Sequence, residues 1–265
     1  MIVDFHTHCF PEKIAVKALD VLRHRSGILD TFHEGSELSL IESMKNNGVD
    51  VSVVLNIATN PSQQSKVNGF AIEINARPEI VAFGSVHPDS PEALQELERL
   101  KAAGIKGVKL HPDYQDFFVD EERMFPIYEK IGELGMITTF HCGVDIGFPH
   151  PVHCTPDRLA KVLPHFGGAP VVAAHFGGIG YSEDVCEKLT GFDNLYIDTA
   201  YSYGIISPYW AKRIISAHGS DRILFASDTP WSLPENEQRL LDCFDLTAEE
   251  KSKILGGNAV RLLGI

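Results

Sequence analysis

Short apolar runs recur along the chain, and each is followed by a longer stretch with helical spacing of its apolar positions. The runs lie at residues 1–8, 51–57, 80–86, 106–111, 136–141, 170–175, 195–199 and 222–228. Most are rich in β-branched residues, as in Val51-Ser52-Val53-Val54-Leu55-Asn56-Ile57, and read as buried strands. Helices are predicted over 13–25, 39–47, 60–76, 91–103, 121–134, 156–163, 182–189 and 208–217, with a helical tail to residue 265. Punctuation supports these bounds. Ser39 opens a helix with Glu42 three residues on and Gly48 after its end, a capping-box pattern with a glycine stop. Ser90 stands before Pro91 as a helix cap, and Gly104 ends that helix.

Strand and helix therefore alternate with a period of about 30 residues, the rhythm of successive βα units. Eight such strands close a parallel (β/α)8 TIM barrel, and a distorted barrel filling one domain over residues 1–265 is the expected architecture. An open doubly wound sheet competes with it. That fold usually carries a glycine-rich phosphate loop after its first strand, whereas this chain has His6-Thr7-His8-Cys9-Phe10-Pro11 there. The stretches 27–36 and 143–155 are polar excursions suited to capping the barrel mouth.

Composition narrows the function. The net charge of −13 disfavours nucleic acid or an anionic membrane as partner and leaves a small-molecule substrate; a homodimer is compatible with such a barrel. Five cysteines, an odd number with no CxxC spacing, argue against a disulfide framework and for a reducing cytoplasm. The chain enters a core-like strand with no basic or apolar leader, and no apolar run approaches the ~20 residues that span a bilayer.

The histidines carry the chemistry. His6 and His8 end the first strand, His87 follows the third, and His111, His141 and His175 end the fourth, fifth and sixth; Asp228 ends the eighth. In a closed parallel barrel these ends share one face, the face that holds active sites. His6 and His8, two residues apart on a strand, point the same way. Together with His141 and Asp228 they form an N3O donor set suited to Zn(II), with Mn(II), Fe(II) or Co(II) as alternatives, for one ion in preference to two. His175 is placed for proton transfer beside it, or as a ligand to a second metal, and Asp228 for the same task through its second oxygen. Lys109, two residues before His111, faces the interior with it. It is a substrate contact, a carbamate bridging two ions, or a deep partner of Asp4. His111 is read as a substrate contact, His87 as structural, and His24, His33, His150, His153, His165 and His218 as surface or second-layer residues. Phe10, Tyr114 and Trp231 are substrate-contact candidates, with Asn56, Phe117, Asp145 and Tyr201 as further wall positions.

Six segments together resemble the amidohydrolase superfamily, and within it the amidohydrolase 2 branch of metal-dependent barrels. They are Asp4-Phe5-His6-Thr7-His8, Gly107-Val108-Lys109-Leu110-His111-Pro112, Phe140-His141-Cys142-Gly143, Ala174-His175-Phe176-Gly177-Gly178, Phe225-Ala226-Ser227-Asp228-Thr229-Pro230 and Gly256-Gly257-Asn258-Ala259. The resemblance covers essentially the whole chain. It implies metal ligation by His6, His8, His141 and Asp228 and proton handling by His175.

The branch contains hydrolases and non-oxidative decarboxylases. Several of its decarboxylases replace the first histidine of the pair by glutamate, so His6 leans toward hydrolysis. The leading expectation is water activated on a divalent metal attacking an amide, lactone or ester carbonyl of a small molecule. The alternative is decarboxylation of a small unsaturated or aromatic acid, against which the lack of an arginine at any strand end weighs. A barrel that binds without catalysing is a third reading, opposed by the intact ligand set.

Overall fold

The computed structural model describes residues 1–27, 30–148 and 150–265. Ile28 and Leu29 of the 27–36 excursion and Pro149 of the 143–155 excursion lie outside the described residues. Eight strands are present: β1 (Val3–Thr7), β2 (Val51–Leu55), β3 (Ile80–Phe83), β4 (Gly107–Leu110), β5 (Ile137–Phe140), β6 (Val171–Ala173), β7 (Leu195–Asp198) and β8 (Ile223–Leu224). All pair in parallel, β1 through β3 in one run and β4 through β8 in another.

Backbone hydrogen bonds join the two runs at both seams. Between β3 and β4, the Gly84 amide donates to Gly107 O at 3.0 Å and the Lys109 amide to Gly84 O at 2.8 Å. Between β8 and β1, the Phe5 amide donates to Phe225 O at 2.9 Å, the Asp228 amide to His6 O at 2.8 Å and the His8 amide to Thr229 O at 2.8 Å. A sheet paired at every edge has no open strand. The structure is the expected TIM barrel.

Between the strands run α1 (Ala15–Ser26), α2 (Glu37–Asn47), α3 (Gln64–Ile74), α4 (Ala93–Ala102), α5 (Phe125–Glu133), α6 (Pro156–Val162), α7 (Ser182–Asp184, continued by a π-helical turn, Val185–Leu189), α8 (Pro208–His218), α9 (Pro234–Asp242), α10 (Ala248–Ser252) and α11 (Asn258–Leu263). Several helix starts differ from expectation. α2 begins at Glu37, and its cap is Ser36, whose hydroxyl accepts from the Ser39 amide. Ser39 instead donates its hydroxyl to Ser36 O, so it lies inside the first turn. Likewise α4 begins at Ala93, and Ser90 accepts from the Glu92 amide outside the helix. Among the described residues, no helix is long and apolar enough to cross a membrane.

The barrel interior is packed with Phe5, Val53, Phe83, Ile137, Val172 and Leu224, with Phe5 and Phe83 edge to face at 5.9 Å between ring centres. Full burial of side chains of this size stabilises by roughly 1.5–3 kcal/mol each. This plug closes the lower barrel and leaves polar side chains at the C-terminal strand ends. Pairing of β1 with β2 shifts register between Asp4 and Thr7. Phe5 thereby packs inward while His6 and His8 both reach the mouth.

Candidate functional site

At the β1 corner of the mouth, hydrogen bonds fix which nitrogen of each imidazole is bare. His6 Nδ1 lies 2.9 Å from Asp198 Oδ2. A carboxylate only accepts, so the His6 proton sits on Nδ1 and Nε2 keeps its lone pair. His8 Nδ1 lies 2.9 Å from Leu55 O, with the same consequence. Both bare nitrogens face Asp228 Oδ1, at 3.4 Å from His6 and 3.1 Å from His8. The donor atoms of His6, His8 and Asp228 lie within 4.8 Å of one another. Lys109 Nζ, 3.2 Å from His6 Nε2, meets one of these three lone-pair acceptors, and the donor chemistry of the set, two imidazole nitrogens and a carboxylate oxygen, fits a divalent metal ion.

The backbone is bent to build the site. Asp228 has φ 67°, His175 φ 60° and Phe176 φ 52°. These left-handed conformations are uncommon for residues with a Cβ, and they concentrate at functional sites. Asp198, at the end of β7, anchors two parts of the mouth. One oxygen holds the His6 ring and the other accepts from the His175 amide at 2.8 Å. Its burial raises its pKa above the usual carboxylate range, against the pull of His175 and Lys109. Burial, with Lys109 and His175 nearby, holds His6 well below the ordinary histidine value.

His141, expected beside His6, His8 and Asp228, stands in a second donor group with His111 and Asp145. Two contacts turn it there. Its ring stacks on His111 at 4.1 Å between centres, and its Nδ1 lies 3.0 Å from His175 Nε2. His175 Nδ1 donates to Ala200 O at 3.0 Å, so its Nε2 accepts from His141. His141 Nε2 is thus bare, and it is buried without a hydrogen-bond partner, 3.8 Å from Asp145 Oδ2. His111 is arranged differently. Its Nδ1 accepts from the Tyr114 amide at 3.3 Å, which leaves the proton on Nε2, 3.4 Å from Asp145 Oδ2. Burial lowers both histidines well below their ordinary pKa.

Lys109, expected as a substrate contact, a carbamate bridge or a deep partner of Asp4, lies deep in the barrel. Its side chain is buried, and Nζ lies 3.2 Å from His6 Nε2. Burial lowers its pKa while Asp198 and Asp228 raise it. Its partner is therefore not Asp4, which accepts from the Ser227 amide and hydroxyl and is pushed up to about 7 by burial. His87 is tied into the scaffold, its amide donating to Gln64 and its Nδ1 accepting from the Asp89 amide.

A cavity of about 560 Å3 opens beside His175, between the loops after β6 and β7. Phe10, Tyr114 and Trp231 lie outside its lining. Phe10 is held by the strand-like bridge to Ser36, Tyr114 is packed edge-on between His111 and Phe148, and the Trp231 amide folds back onto Asp228 O. The cavity wall is held by close approach and by a buried acid. Gly143, at φ 82°, sits where a Cβ would come within 2.2 Å of the Ile179 amide nitrogen. Glu237 of α9 accepts from the Ser202 and Tyr203 amides and the Ser232 hydroxyl, and burial pushes its pKa up to about 8.

Asp198 and Arg25 of the mouth were not among the expected site residues. Asp198 closed the seventh apolar run in plain view, an acid at a strand end like Asp228. Asp145 was named only as a wall. Arg25, from α1, stands over the Tyr114 and Phe148 rings at 5.5 and 4.8 Å, and nothing in a helical stretch marks which residue overhangs a barrel.

The profile of the amidohydrolase family matches residues 3–265. A curated relative, 4-sulfomuconolactone hydrolase of Rhizobium radiobacter, is 23% identical over 239 residues, 79% of this chain and 75% of that one. An uncharacterised TIM-barrel protein from Bordetella bronchiseptica superposes with a TM-score of 0.79 at 20% identity, covering 99% of this chain and 98% of that one. A dihydroxybenzoic acid decarboxylase from Polaromonas sp., solved with bound manganese, superposes with a TM-score of 0.70 at 16% identity, covering 99% and 96%. With its whole length matched and its barrel shared, the chain belongs to the amidohydrolase family of enzymes.

Proposed function

We propose that the protein is a metal-dependent hydrolase of a small-molecule amide, lactone or ester. The observation that carries this reading is the convergence of three bare acceptor atoms, Nε2 of His6, Nε2 of His8 and Oδ1 of Asp228. These residues hold one divalent ion, zinc first, with manganese, iron(II) or cobalt(II) as alternatives. His141, whose Nε2 is also bare, is the fourth donor. When bound, such an ion supplies a Lewis acid that polarises a carbonyl and acidifies water toward neutral pH.

The chain's own residues do the rest. Asp198 and Leu55 O hold the two imidazoles in the tautomer that ligation needs. His175 lines the cavity, and its Nε2, which accepts from His141 Nδ1 in this structure, is the atom that would move the proton between water and leaving group once released from His141. The second oxygen of Asp228 steers the same proton. Lys109 lies beneath as the positive charge among Asp198 and Asp228. His111 supports the mouth by holding Asp145, and substrate contact by His111, Phe10, Tyr114 or Trp231 is left to the rim. The curated lactone hydrolase among the relatives supports hydrolysis. Zinc as the ion rests on the nitrogen-rich donor set, and a cytoplasmic setting on five free cysteines.

Decarboxylation is the second reading. Arg25 favours it, a guanidinium at the rim over Tyr114 and Phe148 that an acid substrate would use. Product analysis separates the two. Protein loaded with zinc or manganese and offered lactones, amides and aromatic acids in isotopically labelled water is expected to yield a labelled carboxylic acid. Carbon dioxide released without uptake of label would overturn hydrolysis in favour of the second reading.

A further inference from the structure

The cavity beside His175 has a chemical character of its own. Ile206 and Trp210 form an apolar wall, Ser182 offers a hydroxyl, and Glu183 and Asp184 bring two carboxylates. Among the described residues, no lysine or arginine is in the lining. The cations nearby are already engaged. Lys188 pairs with Asp184 at 2.7 Å. Arg213 donates to the Tyr209 hydroxyl at 2.7 Å and stands 5.4 Å from the Trp210 ring centre. Arg25 is on another part of the rim, after β4 and β5.

An anionic group entering this cavity loses its hydration, finds no counter-ion in the wall and meets two carboxylates. A cationic group finds the Asp184 carboxylate already paired with Lys188. An uncharged, flat group loses little, since it gains apolar contact with Ile206 and the face of Trp210 and a hydrogen bond from Ser182.

We infer that this cavity seats an uncharged, partly aromatic part of the substrate, so that the substrate class is a neutral amide, ester or lactone with no carboxylate or sulfonate on that side. The inference rests on the hydrolase reading and names the substrate of that same site.

The test uses the full-length protein and two matched probes, acetanilide and 4-acetamidobenzenesulfonate, with binding followed by titration calorimetry. Acetanilide is expected to bind at least about tenfold more tightly, the penalty of placing an unpaired charge against a cation-free wall. Trp210→Ala is expected to weaken acetanilide about tenfold, as lost aromatic contact does. Ile205→Arg, at a cavity position that is 53% exposed and so tolerant of substitution, is expected to raise sulfonate affinity to that of acetanilide. It also serves if Trp210→Ala does not fold. Sulfonate binding equal to or tighter than acetanilide in the unsubstituted protein overturns the inference. So does failure of acetanilide to bind, or acetanilide affinity untouched by Trp210→Ala. Metal content measured on the same samples separates the two claims. Protein that holds one ion but does not bind acetanilide overturns the cavity alone, and protein that binds acetanilide but holds no ion overturns the metal reading alone.

Discussion

The mouth holds two groups of the same make, two histidines and one aspartate, and they differ in what lies behind the rings. In His6–His8–Asp228 both far nitrogens donate, to Asp198 and to Leu55 O, so both near nitrogens are bare. In His111–His141–Asp145 the far nitrogen of His111 accepts from the Tyr114 amide, so a proton already stands between His111 and Asp145. In the first group Lys109 meets His6 Nε2 while His8 Nε2 still faces Asp228 with no proton between them, and the second group is half satisfied by its own hydrogen. The partner on the far side of an imidazole, more than the ligand list, decides whether a cluster is a metal site.

The contrast breaks most sharply at Asp228. Asp228→Asn removes the charged acceptor that both bare nitrogens face. Metal content measured by elemental analysis is expected to fall from about one ion per chain to near zero, with hydrolysis lower by about 10³-fold or more, the scale at which a lost transition-state charge stabiliser acts. Retained metal would move the site elsewhere. Asp198→Asn keeps a carbonyl for His6 but loses the charge behind it, and metal affinity is expected to drop about 10–100-fold, as for other partners behind a ligand. An unchanged affinity in competition with a chelator would remove Asp198 from the account.

His218 supplies the control, a histidine satisfied at both nitrogens. Nδ1 accepts from the Gly191 amide and Nε2 donates to Leu195 O, and burial pulls its pKa down to about 4 from the ordinary histidine value of 6.5. The unfolded chain therefore binds the extra proton first as the pH falls. The stability His218 contributes as a neutral ring is complete above pH 6.5 and lost as the pH falls toward 4. His218→Gln is expected to flatten that part of the curve by roughly 2 kcal/mol, read from urea unfolding at pH 7, 5 and 4; parallel curves would contradict it. The smallest effect belongs to the second group. His111→Gln is expected to leave metal affinity within about threefold, because His111 presents a proton and no lone pair. A loss as large as that of Asp228→Asn would make the two groups equivalent.

Much of this arrangement was legible in the sequence, and the reasons are specific. Eight apolar runs at even spacing marked the barrel, since each buried strand must be followed by a helix that covers it. His6, His8 and Asp228 were legible because strand ends of a parallel barrel share one face. The position of His141 was not. Its strand end was clear, but its ring is turned by His175 and stacked on His111, contacts between residues far apart in the chain. Asp198 was visible at a strand end, but its work lies in hydrogen bonds to His6 and His175 that no spacing rule reports. The cap at Ser36 was missed because Ser36 and Ser39 both suit a helix start, and the choice is made by which one points its hydroxyl back at the other. The cavity after β6 and β7 was unreadable, because loop walls follow from chain paths that start at the left-handed turns of His175 and Tyr201.

The most direct test of the central claim is the position and number of metal ions, read by anomalous diffraction from crystals of protein grown with zinc or manganese. One ion against His6, His8 and Asp228 is the predicted result, and no ion at that corner, or an ion on His111 and Asp145 alone, would contradict it.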